Sequence, residues 1–138
     1  WAVGMAMQMA FSIAPLLAGR NWDVIHCGSD KKSFITTDAP VMLSTVNPRE
    51  PSIYGVGFGN SDAMVIFPLM QSCALVMYGQ EGDFQHRIVG AEQIRRCNLA
   101  LADRCQRFVI GRDDALVGSL TRFLGLANKK WIPKMPRS

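Results

Sequence analysis

The chain has 138 residues, of which 49% are hydrophobic and 19% charged, and its formal net charge is +4. This composition excludes an intrinsically disordered chain and makes a disulfide scaffold unnecessary, because a chain of this length can bury its own core. We expect one domain over residues 1–138. Because the chain opens at Trp1 and enters a hydrophobic segment at once, we also expect it to be a fragment of a longer protein.

The first 19 residues contain no charged side chain. Gln8, Ser12 and Pro15 interrupt their apolar character, and Gly4, Gln8 and Ser12 recur at helical spacing on one stripe. No basic segment precedes them, as a secretory signal would require. The pattern favours a buried helix over a membrane segment or a targeting remnant, and a membrane location is not favoured.

Short β-prone runs predict strands at residues 22–27, 33–37, 41–45, 63–67 and 72–78. The first two are predicted to form a hairpin across a Gly/Ser loop. Pro40 ends the second strand and Pro68 ends the fourth, since proline removes a ladder donor. Residues 46–62 are rich in proline and glycine and predict a long surface loop.

From residue 90 the hydrophobic period becomes helical. The predicted buried stripe of this helix is Ile94, Cys97, Leu101, Cys105 and Phe108. A second helix is predicted to begin at an Asp113 N-cap, to end at Gly125, and to face inward with Leu116, Leu120 and Phe123. The predicted fold class is α+β: a mainly antiparallel sheet of short strands, flanked by an N-terminal helix and two C-terminal helices that cover one face.

The segment Phe34-Ile-Thr-Thr-Asp38-Ala-Pro40 places a carboxylate beside the hydroxyls of Thr36 and Thr37, at the end of a predicted central strand. Strand ends often carry functional groups, because the sheet fixes them while the turn exposes them. Asp38 is therefore the candidate catalytic acid, with Thr36 and Thr37 beside it. Asp62, Glu81 and Asp83 are its candidate acidic partners. The alternative, which the residues favour, is that Asp38 caps the turn through backbone amides.

The other candidate sites are weaker. His26 and Cys27 are adjacent on a strand and should point to opposite faces, which argues against a zinc site. The four cysteines show no C-x-x-C pair, as is typical of reduced thiols in a cytoplasmic protein. No sequence motif specifies a cofactor or decides whether the chain is an enzyme.

The order of motifs resembles that of the domain-of-unknown-function family numbered 4238. The motifs are Trp22-Asp-Val-Ile, Phe34-Ile-Thr-Thr-Asp38-Ala-Pro40, Ile66-Phe-Pro-Leu69, and a closing helix with Asn98 and Arg107-Phe-Val109. The match is to the C-terminal half of that family. The resemblance implies this order of elements, an important role for Asp38, and an N-terminal region that belongs to the working protein but precedes this chain. It implies no reaction.

Three functions follow as hypotheses. The first is an interaction or ligand-binding module of a larger cytoplasmic protein, whose partner is its missing N-terminal region or a second copy. The second is a hydrolase with its acidic centre at Asp38 and residues 46–62 as a lid. The third is a nucleic-acid-binding domain, which would combine the basic helix face with the basic tail of residues 129–137.

Overall fold

The computed structural model describes residues 1–46 and 57–124. Within these ranges the predicted α+β class is confirmed, with helices at both ends and strands between them. The elements are α1 (Ala2–Ala18), β1 (Asn21–Cys27), β2 (Thr36–Thr37), β3 (Met42–Thr45), β4 (Ala63–Met70), β5 (Cys73–Tyr78), β6 (Phe84–Val89), α2 (Ala91–Arg104), β7 (Val109–Ile110) and α3 (Asp114–Phe123).

The main sheet has five described strands in the order β3-β4-β5-β1-β6. Its β3–β4, β4–β5 and β5–β1 pairs are antiparallel, as predicted, whereas β6 lies parallel to β1 and makes the sheet mixed. No strand was predicted at Phe84–Val89. Five of its six residues are exposed, so this edge strand lacks the apolar run that marks a buried strand.

The predicted hairpin between residues 22–27 and 33–37 is wrong. β1 pairs with β5 and β6, and only Thr36–Thr37 of the second segment forms a strand, which pairs with β7. The residues before β2 use their backbone groups elsewhere. The amide of Phe34 donates to the Gln71 carbonyl, and the amide of Ile35 donates to the side chain of Asn98.

Pro68 does not end the fourth strand, because β4 continues to Met70 with a shift of register between Pro68 and Met70. β3 pairs only with Ala63 to Ile66, so Pro68 lies beyond the part of β4 that has a partner on that side. Proline is tolerated in a strand where its missing N–H faces no ladder.

The hydrophobic core lies between one face of the sheet and the C-terminal helices. Ile25, Ile66, Ala74 and Val76 of the sheet are buried with Ile94, Leu101 and Leu120 of α2 and α3. The predicted α2 stripe is therefore confirmed at Ile94 and Leu101. Its extension to Phe108 is wrong, because α2 ends at Arg104 and Cys105 adopts an extended conformation.

Asp113 is the N-cap of α3, as predicted, and its Oδ1 accepts a hydrogen bond from the Leu116 amide at 2.9 Å. Leu120 is buried and Leu116 is half-buried. Phe123 is exposed, which corrects its predicted inward position; the Arg95 guanidinium lies over its ring, 5.5 Å from the centroid. The predicted stop at Gly125 lies outside the described residues.

The N-terminal segment is a helix, but the prediction that it is buried is wrong: none of the 17 residues of α1 is buried. The indole N–H of Trp22 in β1 donates to the carbonyl of Leu17 in α1 at 2.9 Å and so connects the two elements. Among the described helices, none combines the length and the apolar character that a membrane crossing requires.

The predicted loop of residues 46–62 lies partly outside the described residues, and nothing in the described part tests its role as a lid. Its last residues are held by Arg20, which is buried directly after α1. The guanidinium donates to the carbonyls of Phe58, Asn60 and Ala63 at 2.6 to 2.8 Å. A buried arginine with three carbonyl acceptors fixes the entry into β4.

Asn98 of α2 fixes the segment that leads into β2. Its Oδ1 accepts from the Ile35 amide at 3.0 Å, and its Nδ2 donates to the Ser33 carbonyl at 2.9 Å. The side chain is only 2% exposed, so water cannot replace these bonds. The amide side chain thus makes the two backbone hydrogen bonds that a neighbouring strand would otherwise make with this segment.

Replacing Asn98 by alanine is expected to lower the free energy of unfolding by about 2–4 kcal/mol, because it leaves a buried N–H and a buried C=O without partners. Urea unfolding followed by circular dichroism measures this. Arg96→Ala on the same helix is the control, since it removes only an exposed pair with Glu92, worth about 0.5 kcal/mol or less. Equal effects of the two changes would contradict the role given to Asn98.

Candidate functional site

Asp38 directly follows β2, in the small two-stranded sheet that β2 forms with β7. It was predicted at the end of a central strand, and that placement is wrong. Thr36 and Thr37 pair with Ile110 and Val109, and the Oγ1 of Thr37 accepts a hydrogen bond from the Ala39 amide at 3.0 Å. Thr37 therefore already shapes the turn after β2.

The carboxylate of Asp38 binds backbone amides of the segment that follows α2. Its Oδ1 accepts from the amides of Gln106, at 3.1 Å, and Phe108, at 3.5 Å. Desolvation works to raise the pKa of Asp38, but the hydrogen bonds from the amides of Arg107, Gln106 and Phe108 outweigh it and lower the pKa below its ordinary value. These are the contacts that a turn-capping carboxylate makes.

A hydrolytic role for Asp38 requires a second acid or a histidine beside it. Glu81 and Asp83 lie in the turn before β6, where Asn21 donates to the Glu81 carboxylate and accepts from the Asp83 amide. In the described ranges no three His, Cys, Asp or Glu side chains converge on a place for a metal ion. Catalysis by Asp38, with Thr36 and Thr37, stays a prediction.

The structure brings together a polar cluster that sequence reasoning missed. Asp23 of β1 is buried, and its Oδ2 accepts from Arg87 of β6 and from the hydroxyl of Tyr78 of β5. Burial and the Asp23 carboxylate raise the pKa of Tyr78, which keeps its hydroxyl a donor. The cluster ties three adjacent strands together. A charged residue inside the apolar run Trp22-Asp-Val-Ile was the signal for it.

The two histidines, which are far apart in sequence, meet across β1 and β6. Nε2 of His26 lies 2.9 Å from Nδ1 of His86, and the rings stack with their centroids 5.2 Å apart. Phe84 contacts His86 edge to face at 5.1 Å. Because each imidazole uses one ring nitrogen on the other, this pair stabilises the edge strand.

An apolar feature outside the core is the surface of α1. Exposed side chains lie along its whole length, and we call them the α1 surface. They are Trp1, Val3, Met5, Met7, Met9, Phe11 and Leu16. Isolated apolar residues are common on protein surfaces, but a contiguous set of this kind marks an interaction site.

A stripe of small and polar residues runs along the same helix. A Cβ atom at Gly4 would have no atom within 4 Å, so this position faces open space. Gln8 and Ser12 continue the stripe, and Ser12 donates to the Gln8 carbonyl within the helix. α1 therefore offers both apolar side chains and a path along which another helix can approach its backbone closely.

Replacing Asp38 by asparagine is expected to lower the melting temperature at pH 7, because the neutral amide binds the amides of Gln106 and Phe108 more weakly. Asp38 has a lowered pKa, so its stabilisation is present above the ordinary value of 3.8 and is lost as the pH falls through the lower folded value. The difference between the variant and the wild type should therefore close in acid.

Thermal melts from pH 7 downward, with exposed Asp103→Asn as the control, measure this dependence. If Asp38→Asn left the melting temperature unchanged but abolished a stabilisation by divalent metal ions, the capping role would be contradicted and the hydrolase hypothesis favoured.

A family model described as "Protein of unknown function (DUF4238)" matches residues 2–115, from the start of α1 into α3. No curated protein and no solved structure matches the chain. Because the family model covers most of the sequence, the chain belongs to the DUF4238 family.

Proposed function

We propose that this chain is an interaction module, and that its α1 surface binds a second copy of the same chain. The observation that carries the proposal is that none of the 17 residues of this apolar helix is buried. A helix of this length is about 25 Å long, and a helix that is apolar around most of its circumference is stable in water when a partner covers it.

A second copy fits the α1 surface because the surface is complementary to itself. Residues 2–18 contain no charged side chain, so two copies meet without repulsion and without burying an unpaired charge. Gln8 lies near the middle of the helix, and its amide both donates and accepts, so it can pair with its own copy across a two-fold axis. An antiparallel pair would also oppose the two helix dipoles favourably.

The cysteines support a cytoplasmic setting for this module. Cys27, Cys73, Cys97 and Cys105 are free thiols. Burial raises the pKa of Cys97, and burial together with the nearby Cys73 raises that of Cys27, so both favour the protonated, unreactive form. An N-terminal region of the kind that the family resemblance implies is the alternative occupant of the α1 surface. The basic tail needed for nucleic-acid binding lies outside the described residues.

Introducing a negative or a positive charge at Gln8 tests whether a second copy covers the α1 surface. Gln8→Glu and Gln8→Lys should each weaken self-association at least tenfold, because like charges meet near the two-fold axis, and mixing the two variants should restore it. Analytical ultracentrifugation over a range of concentrations measures both effects. Since the side chain of Gln8 is exposed, neither variant should change the melting temperature of the monomer.

The matched control is the same exchange at Gln71, an exposed residue of the β4–β5 turn, which should leave association unchanged. A wild-type chain that stays monomeric would exclude the second copy and leave the N-terminal region as the occupant. Association that both Gln8 variants weaken and their mixture does not restore would also count against the two-fold arrangement.

A further inference from the structure

A cavity of about 490 Å³ lies between the first turns of α2 and α3 and the loop that follows β1. Its volume falls within the range of small-molecule sites. It is built by elements other than α1, so whatever it binds is independent of the function proposed above.

The floor of the cavity is apolar and fixed. Ile94, Leu116 and Leu120 line it, and Ile94 and Leu120 belong to the hydrophobic core. Asn98 also lines it, and both of its polar side-chain atoms bind backbone groups of the segment before β2. The floor can therefore accept an apolar group without rearrangement.

Ser33 is the one lining residue whose buried hydroxyl has no partner within the described ranges. Ser33 is only 5% exposed, and its backbone carbonyl accepts a hydrogen bond from Asn98. Ser33 also lines a second cavity of about 170 Å³, which shares Lys32 and Arg112 with the first. A buried hydroxyl without a partner costs stability, and a ligand that accepts its hydrogen bond would remove that cost.

The rim of the cavity is cationic. Four basic side chains and two carboxylates line it. The basic residues are Lys31, Lys32, Arg95 and Arg112, and the acidic ones are Glu92 and Asp113. Both carboxylates are already used, because Glu92 pairs with Arg96, and Asp113 pairs with Arg112 and caps α3. In the described part of the chain neither Lys31 nor Lys32 has an ion pair, so their charges are available to a ligand.

Arg112 holds the two lysines in place. Its guanidinium donates to the Asp30 carbonyl at 2.6 Å and to the Lys31 carbonyl at 3.3 Å, which fastens the loop to the start of α3. Ala91 and Ala115, in the first turns of α2 and α3, also line the cavity. The first turns of both helices, where the helix dipole leaves partial positive charge, therefore border the same space as the lysines.

We propose that this cavity binds a small organic anion with an apolar body. The apolar body packs on Ile94, Leu116 and Leu120. A carboxylate or phosphate group accepts the hydrogen bond of the Ser33 hydroxyl and is neutralised by Lys31 and Lys32. The apolar floor sets the requirement for the body, and the rim sets the requirement for the negative charge.

Four probes with a six-carbon chain and one without it separate the requirement for an apolar body from the requirement for negative charge. Hexanoate and hexyl phosphate carry the proposed charge, 1-hexanol is neutral, hexylamine is cationic, and inorganic phosphate lacks the apolar body. Isothermal titration calorimetry on the full chain should show that at least one of the two hexyl anions binds at least tenfold more tightly than the other three probes. Equal binding of hexanol and both anions, or no binding of either anion, would overturn the proposal.

Two variants locate the binding. The double variant Lys31→Gln, Lys32→Gln should bind the anion about tenfold more weakly. The control double variant Arg104→Gln, Arg107→Gln removes the same charge near the end of α2 and should leave the affinity unchanged. Ser33→Ala should weaken it several-fold and yet raise the melting temperature of the free chain by roughly 2–6 °C, because it removes a buried hydroxyl without a partner. Unchanged affinity in both the lysine and the serine variants would overturn the site.

The α1 surface is the other place where a hexyl chain could bind. The same titrations on Gln8→Glu keep the two proposals apart. Anion binding that persists while self-association is lost supports the cavity alone. Anion binding that is lost with association would assign the probes to the α1 surface and overturn the cavity site.

Discussion

The side chain of Asn98 is the contact on which the arrangement of this molecule depends. It joins α2 to a segment more than 60 residues earlier in the chain, through one hydrogen bond accepted and one donated. The same segment carries Ser33 at its start and leads through β2 to Asp38. The floor of the cavity and the turn at Asp38 are thus both positioned by one buried amide, which is costly to leave unsatisfied.

Two parts of the fold are stabilised differently. In the body of the fold, polar side chains bind backbone: the buried Asn98 binds the segment before β2, the partly buried Asp38 binds the chain after α2, and the buried Arg20 binds the entry to β4. At the N-terminus, α1 offers apolar side chains that no described element covers. The proposed self-association and the proposed anion site follow from these two situations, one from uncovered apolar surface and the other from unpaired charge.

The features that depend on local sequence pattern could be predicted from the sequence. The positions of β1, β3, β4 and β5, the Ile94 and Leu101 stripe and the Asp113 cap all follow from residue periodicity or from contacts within one turn. The hairpin prediction failed because a side chain on α2, not a strand, binds residues 33–35. The α2 boundary was placed too late because the carboxylate of Asp38, distant in sequence, takes the amides of Gln106 and Phe108. The meeting of His26 with His86 depends on the parallel pairing of β6, which no local pattern indicates.

Amide hydrogen exchange at Ile35 tests the central claim most directly. Its N–H lies outside any strand ladder and donates to the side chain of Asn98. If Asn98 anchors α2 to this segment, the Ile35 amide should exchange as slowly as those of Val24 and Val76 in the centre of the sheet, because only global unfolding would expose it. Exchange at the rate of an exposed loop would show that the segment opens independently of α2, and would contradict the account.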